Sequence, residues 1–300
     1  EEIFTAEEWK KYSEKEQQTI LLNYRLAYRA NTTVNWCPEL GTVLANDEVK
    51  NGVSERGGYP VEQKKMRQWS MRITAYADRL LKGLDNIDWT DAIKDTQRNW
   101  IGKSQGASIY FKTNGDKKHT IEVFTTRPDT IFGVSFIVLA PEHELVQKIT
   151  TKNQEKEIKN YQNTSRLKTE RERISNVKIT TGAFTGAYAI HPFTNKKIPI
   201  WIGDYVLANY GTGAVMSVPC GDQRDWEFAK HFSLEIPNVF KDKNLSKGAF
   251  TEKDAVITNS DFLDGLTVEK ATKLAIFHIE QKGYGKGKTQ YKIRDAVFSR

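Results

Sequence analysis

The hydrophobic positions of this chain change period partway along it. From Thr5 to about Arg29 they are sparse and helical in spacing. Thr5 can cap the start, and Glu7 and Glu8 sit in the first turn, where the helix dipole favours acids. NTTVNWCPELGTVLANDEVKNG is β-branched and broken by Pro38, Gly41 and Asn51-Gly52, which predicts small hairpins. In QKKMRQWSMRITAYADRLLKGL, residues 63–84, Met66, Trp69, Ile73, Tyr76 and Leu80 recur at threes and fours, which predicts a second helix. Asp91–Trp100 predicts a third. After Gly102 short apolar runs take over. They predict strands over 106–112, 119–126, 133–140, 180–190, 198–207 and 213–218, with helices near 142–161, 222–232 and 267–281. The pattern is a helical and hairpin portion to about residue 100, then an α/β domain with a mixed sheet. KTNGDKK and VFKDKNLSKG read as solvated loops.

Three hundred residues suit one large domain or two modest ones. With 38% hydrophobic and 28% charged residues the chain is globular in composition. No apolar run is long enough for a membrane span, and EEIFTAEEWKKYSEKEQQ resembles no signal peptide. Only Cys37 and Cys220 are cysteines, so a reducing cytoplasm is expected rather than a disulfide framework. The net charge of +7 accords with a polyanionic partner such as nucleic acid.

Several sites are excluded. Cys37 is followed by Pro38, Glu39 and Leu40, and VSERGGYPVE opposite offers no cysteine or histidine, so a zinc ribbon lacks its ligands and no metal is expected. In GYGKGKT, Gly283 lies too close to Gly287 for a phosphate loop, and no apolar strand leads in. GTGAVM carries Met216 where a dinucleotide fingerprint needs glycine. The chain is also read as lacking the G-x-S-x-G elbow of serine hydrolases. The five histidines, at 119, 143, 191, 231 and 278, are scattered.

Two stretches remain. In IEVFTTRPDTIFGVSFIVLA, a turn between strands holds Thr125, Thr126, Arg127, Pro128, Asp129 and Thr130. Arg127 presents a fork suited to phosphate, Pro128 stiffens the turn, and Asp129 or Thr130 can cap the helical turn that follows. The turn is either a strand end with its cap or the wall of a site. In NYGTGAVMSVPCGDQRDWEFAKHF, residues 209–232, a tight GTG turn leads a buried strand into Pro219-Cys220-Gly221 and then a helix. Asp222 and Asp225 share one face of its first turn. They are either a cap with a helper carboxylate or a pair that captures an ammonium group.

TTRPDTIFG followed by GTGAVMSVPCGDQRDWEFA resembles the editing domain of leucyl-tRNA synthetase, the large connective insertion of a class I synthetase. PELGTVLANDEV, QWSMRITAYADRLL, WIGKSQGA, FLDGLTVEKA and YKIRDAVFSR agree, so the resemblance covers nearly the whole chain. Isoleucyl relatives carry a TTTPWT-like motif and valyl relatives a TTRPET-like one; Asp129 with IFG points to leucine.

The resemblance implies an α/β editing domain with a mixed sheet and a β-barrel-like core over 101–295. It further implies helical connectors at 1–34 and 63–100, a zinc-ribbon-like hairpin module at 35–62 that has lost its metal ligands, and a return toward a catalytic core at 296–300. The hairpin module is expected to fold through Trp36, Leu40, Val43 and Leu44. The implied activity is hydrolysis of tRNA(Leu) mischarged with isoleucine, norvaline or methionine. Asp225 would bind the α-ammonium, with Asp222 beside it. Thr130 would be the gate that excludes leucine. Thr125 and Thr126 would position the water and the ester carbonyl. Arg127, next to Asp129, would hold the terminal phosphate. Tyr210, Met216, Val218 and Arg224 would line the substrate pockets.

No cofactor is implied for editing. ATP and magnesium belong to the synthetic domain, whose HIGH- and KMSKS-type signatures are absent here, so an excised insertion with weak activity on its own is expected. The implied partners are the 3′ end of tRNA(Leu) and the remainder of the synthetase chain, in a cytoplasmic monomer with no membrane contact. The family usually has histidine where this chain has Gly221, which leaves open a tRNA-binding module whose editing site has decayed.

Overall fold

The computed structural model describes residues 4–115, 117–166, 168, 173, 180–208 and 211–299. It divides into two compact units, Glu1–Lys103 with Tyr291–Arg300, and Ser104–Gln290.

In the first unit the single leading helix is corrected to two, α1 (Ala6–Lys11) and α2 (Glu14–Leu22). Ser13 restarts the helix: its hydroxyl accepts from the Glu16 amide while Glu16 accepts from the Ser13 amide. The chain then extends as β1 (Ala27–Cys37), which pairs antiparallel with β5 (Glu62–Met71) from Ala27↔Met71 to Trp36↔Glu62. The helix expected over 63–84 is therefore strand in its first part. Helix begins only at a 3-10 turn (Ile73–Tyr76) and α3 (Ala77–Gly83). Along β5 the covered positions are Met66, Gln68 and Ser70, at period two, while Trp69 stays 55% exposed. Two of those three are polar, so the strand period leaves little apolar trace in the sequence.

Strand β2 (Thr42–Leu44) forms a hairpin with β1 that sets Trp36 opposite Val43. Val34, Cys37 and Leu44 are its buried apolar side chains. Asn51 and Gly52, both at positive φ, join β3 (Val49–Lys50) to β4 (Val53–Ser54), as the dipeptide predicts. Helix α4 (Asp91–Ile101) ends on left-handed Gly102. The last segment returns to this unit. Strand β13 (Ala296–Val297) pairs with β5, and the Asp295 carboxylate accepts from the Tyr28 hydroxyl at 2.5 Å and the Thr74 hydroxyl at 2.7 Å.

The second unit is built on one mixed sheet. Its strands are β6 (Lys103–Thr113), β7 (Thr120–Thr125), β8 (Phe136–Leu139), β9 (Ala183–Ile190), β10 (Lys197–Ile202), β11 (Ala214–Ser217) and β12 (Gly285–Tyr291). The order is β11-β8-β10-β9-β6-β12, with β7 also pairing with β6. Strands β8 and β10 are parallel; β8–β11, β9–β10, β6–β7 and β6–β9 are antiparallel. Strand β7 also packs beside β11. The region expected to be one helix over 142–161 holds α5 (Val146–Ile149), a 3-10 turn and α6 (Glu155–Arg166). Helices α7 (Gln223–His231) and α8 (Val268–Gln281) complete the set that matters for the site.

All four residues of β8 are buried because both its faces are covered. Ile137 and Leu139 join Ile109, Phe111, Ile121, Val123, Ile200 and Ile202 on one side. On the other, Phe136 stacks on Phe228 of α7 with ring centroids 5.0 Å apart. Each such side chain contributes about 1.5–3 kcal/mol of burial free energy. Among the described residues no helix is long and apolar enough to cross a membrane.

Candidate functional site

The two motifs meet. TTRPDT follows β7, and Pro128–Gly133 forms a 3-10 turn with proline in its first turn, where its fixed φ fits. GTGAVM runs into β11 through Gly211 and Gly213, both at positive φ, and α7 begins at Gln223. A Cβ on Gly133 would lie 2.9 Å from Cys220 Sγ and 3.2 Å from Val218 Cγ1, so the end of the first motif packs directly on the second. The Ser135 amide donates to the Ser217 carbonyl at 3.2 Å. Helix α8 backs the turn with the small residues Ala271 and Ala275, both fully buried. The ring of buried His191 makes a 2.9 Å hydrogen bond with the Ile131 carbonyl. That histidine is structural, and burial holds its pKa low.

Within the turn, the Thr125 hydroxyl accepts from the Arg127 amide at 3.0 Å. Thr126 is exposed. The 3-10 turn has no side-chain cap, which corrects the capping expected of Asp129 or Thr130. Asp129, with no exposed surface, instead accepts from Arg127 Nη2 at 2.9 Å and Nε at 3.1 Å. Thr272 of α8 adds a longer contact of 3.3 Å. Thr130, 2% exposed, donates its hydroxyl to the Arg127 carbonyl at 2.8 Å. The Arg127 guanidinium lies 5.7 Å from the Phe240 ring centre.

In the second motif the two carboxylates separate. Asp222 is exposed and caps α7, accepting from the Arg224 and Asp225 amides at 2.9 and 3.1 Å. Asp225 turns inward, 8% exposed, and accepts from the Val218 amide at 2.8 Å. Burial, with Asp222 nearby, pushes its pKa up to about 7. A buried carboxylate in that state is stabilised by any cation that reaches it. Met216 and Val218 are buried at 7% and 6% exposure. Exposed Arg224 sits 5.4 Å from the Tyr205 ring centre. Tyr210 lies outside the described residues. Burial pushes the Cys220 thiol up to about 11, so it is no nucleophile at neutral pH.

Sequence reading missed two features. Gly106 is one: a Cβ there would lie 1.9 Å from the Thr125 carbonyl oxygen, so β6 crosses the start of TTRPDT at backbone contact. A glycine inside a strand is the signal for such an approach. The other is GKSQG at Gly102–Gly106, which has G-x-S-x-G spacing after all. It runs from the end of α4 into β6, helix then strand, whereas a nucleophile elbow turns from strand to helix.

Residues 98–280 match a family model described as "Leucyl-tRNA synthetase, editing domain". The leucine--tRNA ligase of Christiangramia forsetii is 61% identical over 300 residues, covering 100% of this chain and 31% of that protein. That of Flavobacterium johnsoniae is 60% identical over 304 residues, covering 99% and 32%. The chain thus spans about a third of the length of these curated relatives. Among solved structures, the ternary complex of Agrobacterium radiobacter K84 agnB2 LeuRS with tRNA and LeuAMS superposes with a TM-score of 0.71 at 31% identity. The match covers 94% of this chain and 32% of that one.

Proposed function

The chain belongs to the leucyl-tRNA synthetase editing-domain family, and we propose that the junction of its two motifs hydrolyses the ester of tRNA(Leu) carrying a wrong aliphatic amino acid. Such a site is needed because a pocket that accepts leucine rejects near-isosteric side chains by only about 1–3 kcal/mol. The observation that carries the reading is Asp225, a buried carboxylate with a raised pKa, held at the meeting point of the two motifs.

The substrate's α-ammonium binds Asp225 and keeps it ionised. Asp222 acts by capping α7 and so fixing Asp225. Thr130, buried against the Arg127 carbonyl, has one rotamer held by that bond and can act as a rigid gate against leucine's γ-branch. Arg127 receives the terminal phosphate with Nη1, since Nε and Nη2 are engaged by Asp129. Exposed Thr126, with Thr125, positions the attacking water and the ester carbonyl. Met216, Val218, Arg224 and Tyr210 line the amino-acid and adenosine pockets. Water adds to the carbonyl carbon, the bond to the ribose oxygen breaks, and that oxygen leaves with a proton. An aminoacyl ester is reactive enough for orientation and polarisation to suffice, and no resident metal is invoked.

Gly221 does not break this arrangement. The loop is closed by its own backbone, with the Gly221 and Asp222 amides donating to the Val218 carbonyl at 2.9 and 3.0 Å. That favours a working site over a decayed one. We also read the sheet, with β7 beside β11, as barrel-like, and the hairpin around Cys37 as a zinc-ribbon-like module that folds without metal. Among the described residues no group of three or more Cys, His, Asp or Glu could hold an ion. The chain works as part of a cytoplasmic, monomeric synthetase.

The test compares isoleucyl-tRNA(Leu) with its α-hydroxy analogue, which lacks the ammonium. Faster hydrolysis of the amino ester, with that preference abolished in Asp225→Ala, is expected. Equal rates in the unaltered chain would sink the role of Asp225.

A further inference from the structure

The lysine-rich stretch VFKDKNLSKG reads in the sequence as a solvated loop, yet the structure ties it down from end to end. Trp226 Nε1 of α7 donates to the Leu245 carbonyl at 2.9 Å, and Gln223 Oε1 accepts from the Ala249 amide at 3.0 Å. The Phe250 amide donates to the Cys220 carbonyl at 2.9 Å. At the base of the loop the Asn238 side chain accepts from the Phe240 amide and donates to the Lys243 carbonyl, both at 2.9 Å. Asp242, at positive φ, turns the chain just before Lys243. Cys220, Gln223 and Trp226 all belong to the second motif, so the loop is fastened to the same segment that carries Asp225.

The tethers set two cations on one aromatic pair. The Arg127 guanidinium lies 5.7 Å from the Phe240 ring centre, the Phe240 and Phe250 rings are 5.3 Å apart, and the Lys243 ammonium lies 4.2 Å from the Phe250 ring centre. The two cations differ in charge balance. Arg127 is neutralised by buried Asp129, whereas Lys243 enters no ion pair among the described residues. Lys241 and Lys247, both exposed, flank it, and Asp242 is the one acid between them. An ammonium on a flexible stem is ordinarily free to wander; over a ring it is held in place before any anion arrives.

We propose that Lys243, held by Phe250, binds a backbone phosphate of the single-stranded RNA end upstream of the phosphate assigned to Arg127. The 238–250 loop is then a second wall of the site. Charge complementarity selects the occupant: the loop adds positive charge without a counter-ion, beside an arginine whose own charge is already balanced. Asn238, Gln223, Trp226 and Phe250 are positioning residues, acting through the loop and its lysine. The proposal rests on the reading that the terminal nucleotide sits at the junction of the two motifs.

The experiment measures binding of a labelled acceptor-stem hairpin of tRNA(Leu), with its single-stranded 3′ end, to the 300-residue chain across a salt series. The variants are Lys243→Ala, Lys243→Arg, Trp226→Phe and Arg127→Ala. The hairpin is used intact and with a neutral methylphosphonate at each of its last linkages in turn, and deacylation of isoleucyl-tRNA(Leu) is recorded beside it. Lys243→Ala is expected to weaken binding about fivefold at low salt and to flatten the slope of log affinity against log salt by about 0.7. In deacylation the loss should sit in KM rather than kcat, and Lys243→Arg should restore it. Trp226→Phe, which keeps a ring but loses the bond to Leu245, should shift binding the same way by less. One neutral linkage should weaken the parent but not Lys243→Ala, and it should differ from the linkage to which Arg127→Ala is indifferent. Unchanged affinity and salt slope in Lys243→Ala overturn the proposal, as does a variant that responds to every neutral linkage as the parent does. Should binding change as expected while no form of the protein hydrolyses the ester, the phosphate site stands and the editing reading fails.

Discussion

Arg127 and Asp129 hold each other, through contacts of 2.9 and 3.1 Å, across a turn that leaves Asp129 with no exposed surface. The pair serves two ends. It neutralises a carboxylate that would otherwise sit buried and unpaired, and it orients a guanidinium toward the phosphate proposed to bind there. Asp129→Ala is therefore expected to lower unfolding stability by about 3 kcal/mol and to weaken binding of the tRNA end. Urea unfolding and the KM for deacylation read the two effects separately. A variant as stable as the parent would mean that the pair is dispensable.

Asp225 predicts a conflict between stability and activity. Its pKa stands near 7 in the folded chain against an ordinary 3.8. Between those values the folded state holds a proton that the unfolded state has lost. Stability from this group thus falls as pH rises from about 4 to 7 and stays low above. Asp225→Asn removes that loss. It should raise the melting temperature at pH 8 and change it little at pH 4, a gain on the order of 2–4 kcal/mol, while abolishing hydrolysis. Thermal melts across that pH range give the comparison; a gain independent of pH would show that the carboxylate is not strained by burial.

Gly106→Ala tests the approach of β6 to TTRPDT. The added methyl would meet the Thr125 carbonyl at 1.9 Å, so the strands must part. A destabilisation of about 1–3 kcal/mol is expected, with a larger fall in kcat than in substrate binding, because Thr125 and Thr126 move. Unchanged kcat would show that these threonines tolerate displacement.

Gly221→His tests whether the departure from the family pattern matters. A Cβ there would stand 3.5 Å from the nearest atom, on Phe240, which is ordinary contact. No positive φ demands glycine at this position. The substitution should cost under about 0.5 kcal/mol and should not lower hydrolysis. A sharp loss in melting temperature would show that the Val218–Asp222 loop needs glycine.

Much of the second unit is legible from sequence because its strands are apolar and short. FIVL of β8 and AVMS of β11 read directly as buried strands. What escapes reading is structure without an apolar signature. Strand β5 covers Gln68 and Ser70, and β12, GKGKTQY, pairs through its backbone at Gly285, where a Cβ would lie 1.9 Å from the Ser108 carbonyl. At the site, both motifs are visible as residue strings, but the division of labour within them is not. Spacing puts Asp222 and Asp225 on one face of a turn. Only the packing around Val218 and Ser217 decides that one caps and the other is buried. Gly106 lies outside both strings, and only the folded sheet brings it against Thr125.

The measurement that bears most directly on the central claim is hydrolysis of isoleucyl-tRNA(Leu) and leucyl-tRNA(Leu) by the chain, and by a leucine--tRNA ligase carrying it, with and without Thr130→Ala. The expected result is cleavage of the isoleucyl ester alone by the parent and of both esters by Thr130→Ala. Equal cleavage of both esters by the parent, or none above the spontaneous rate in either protein, would contradict it.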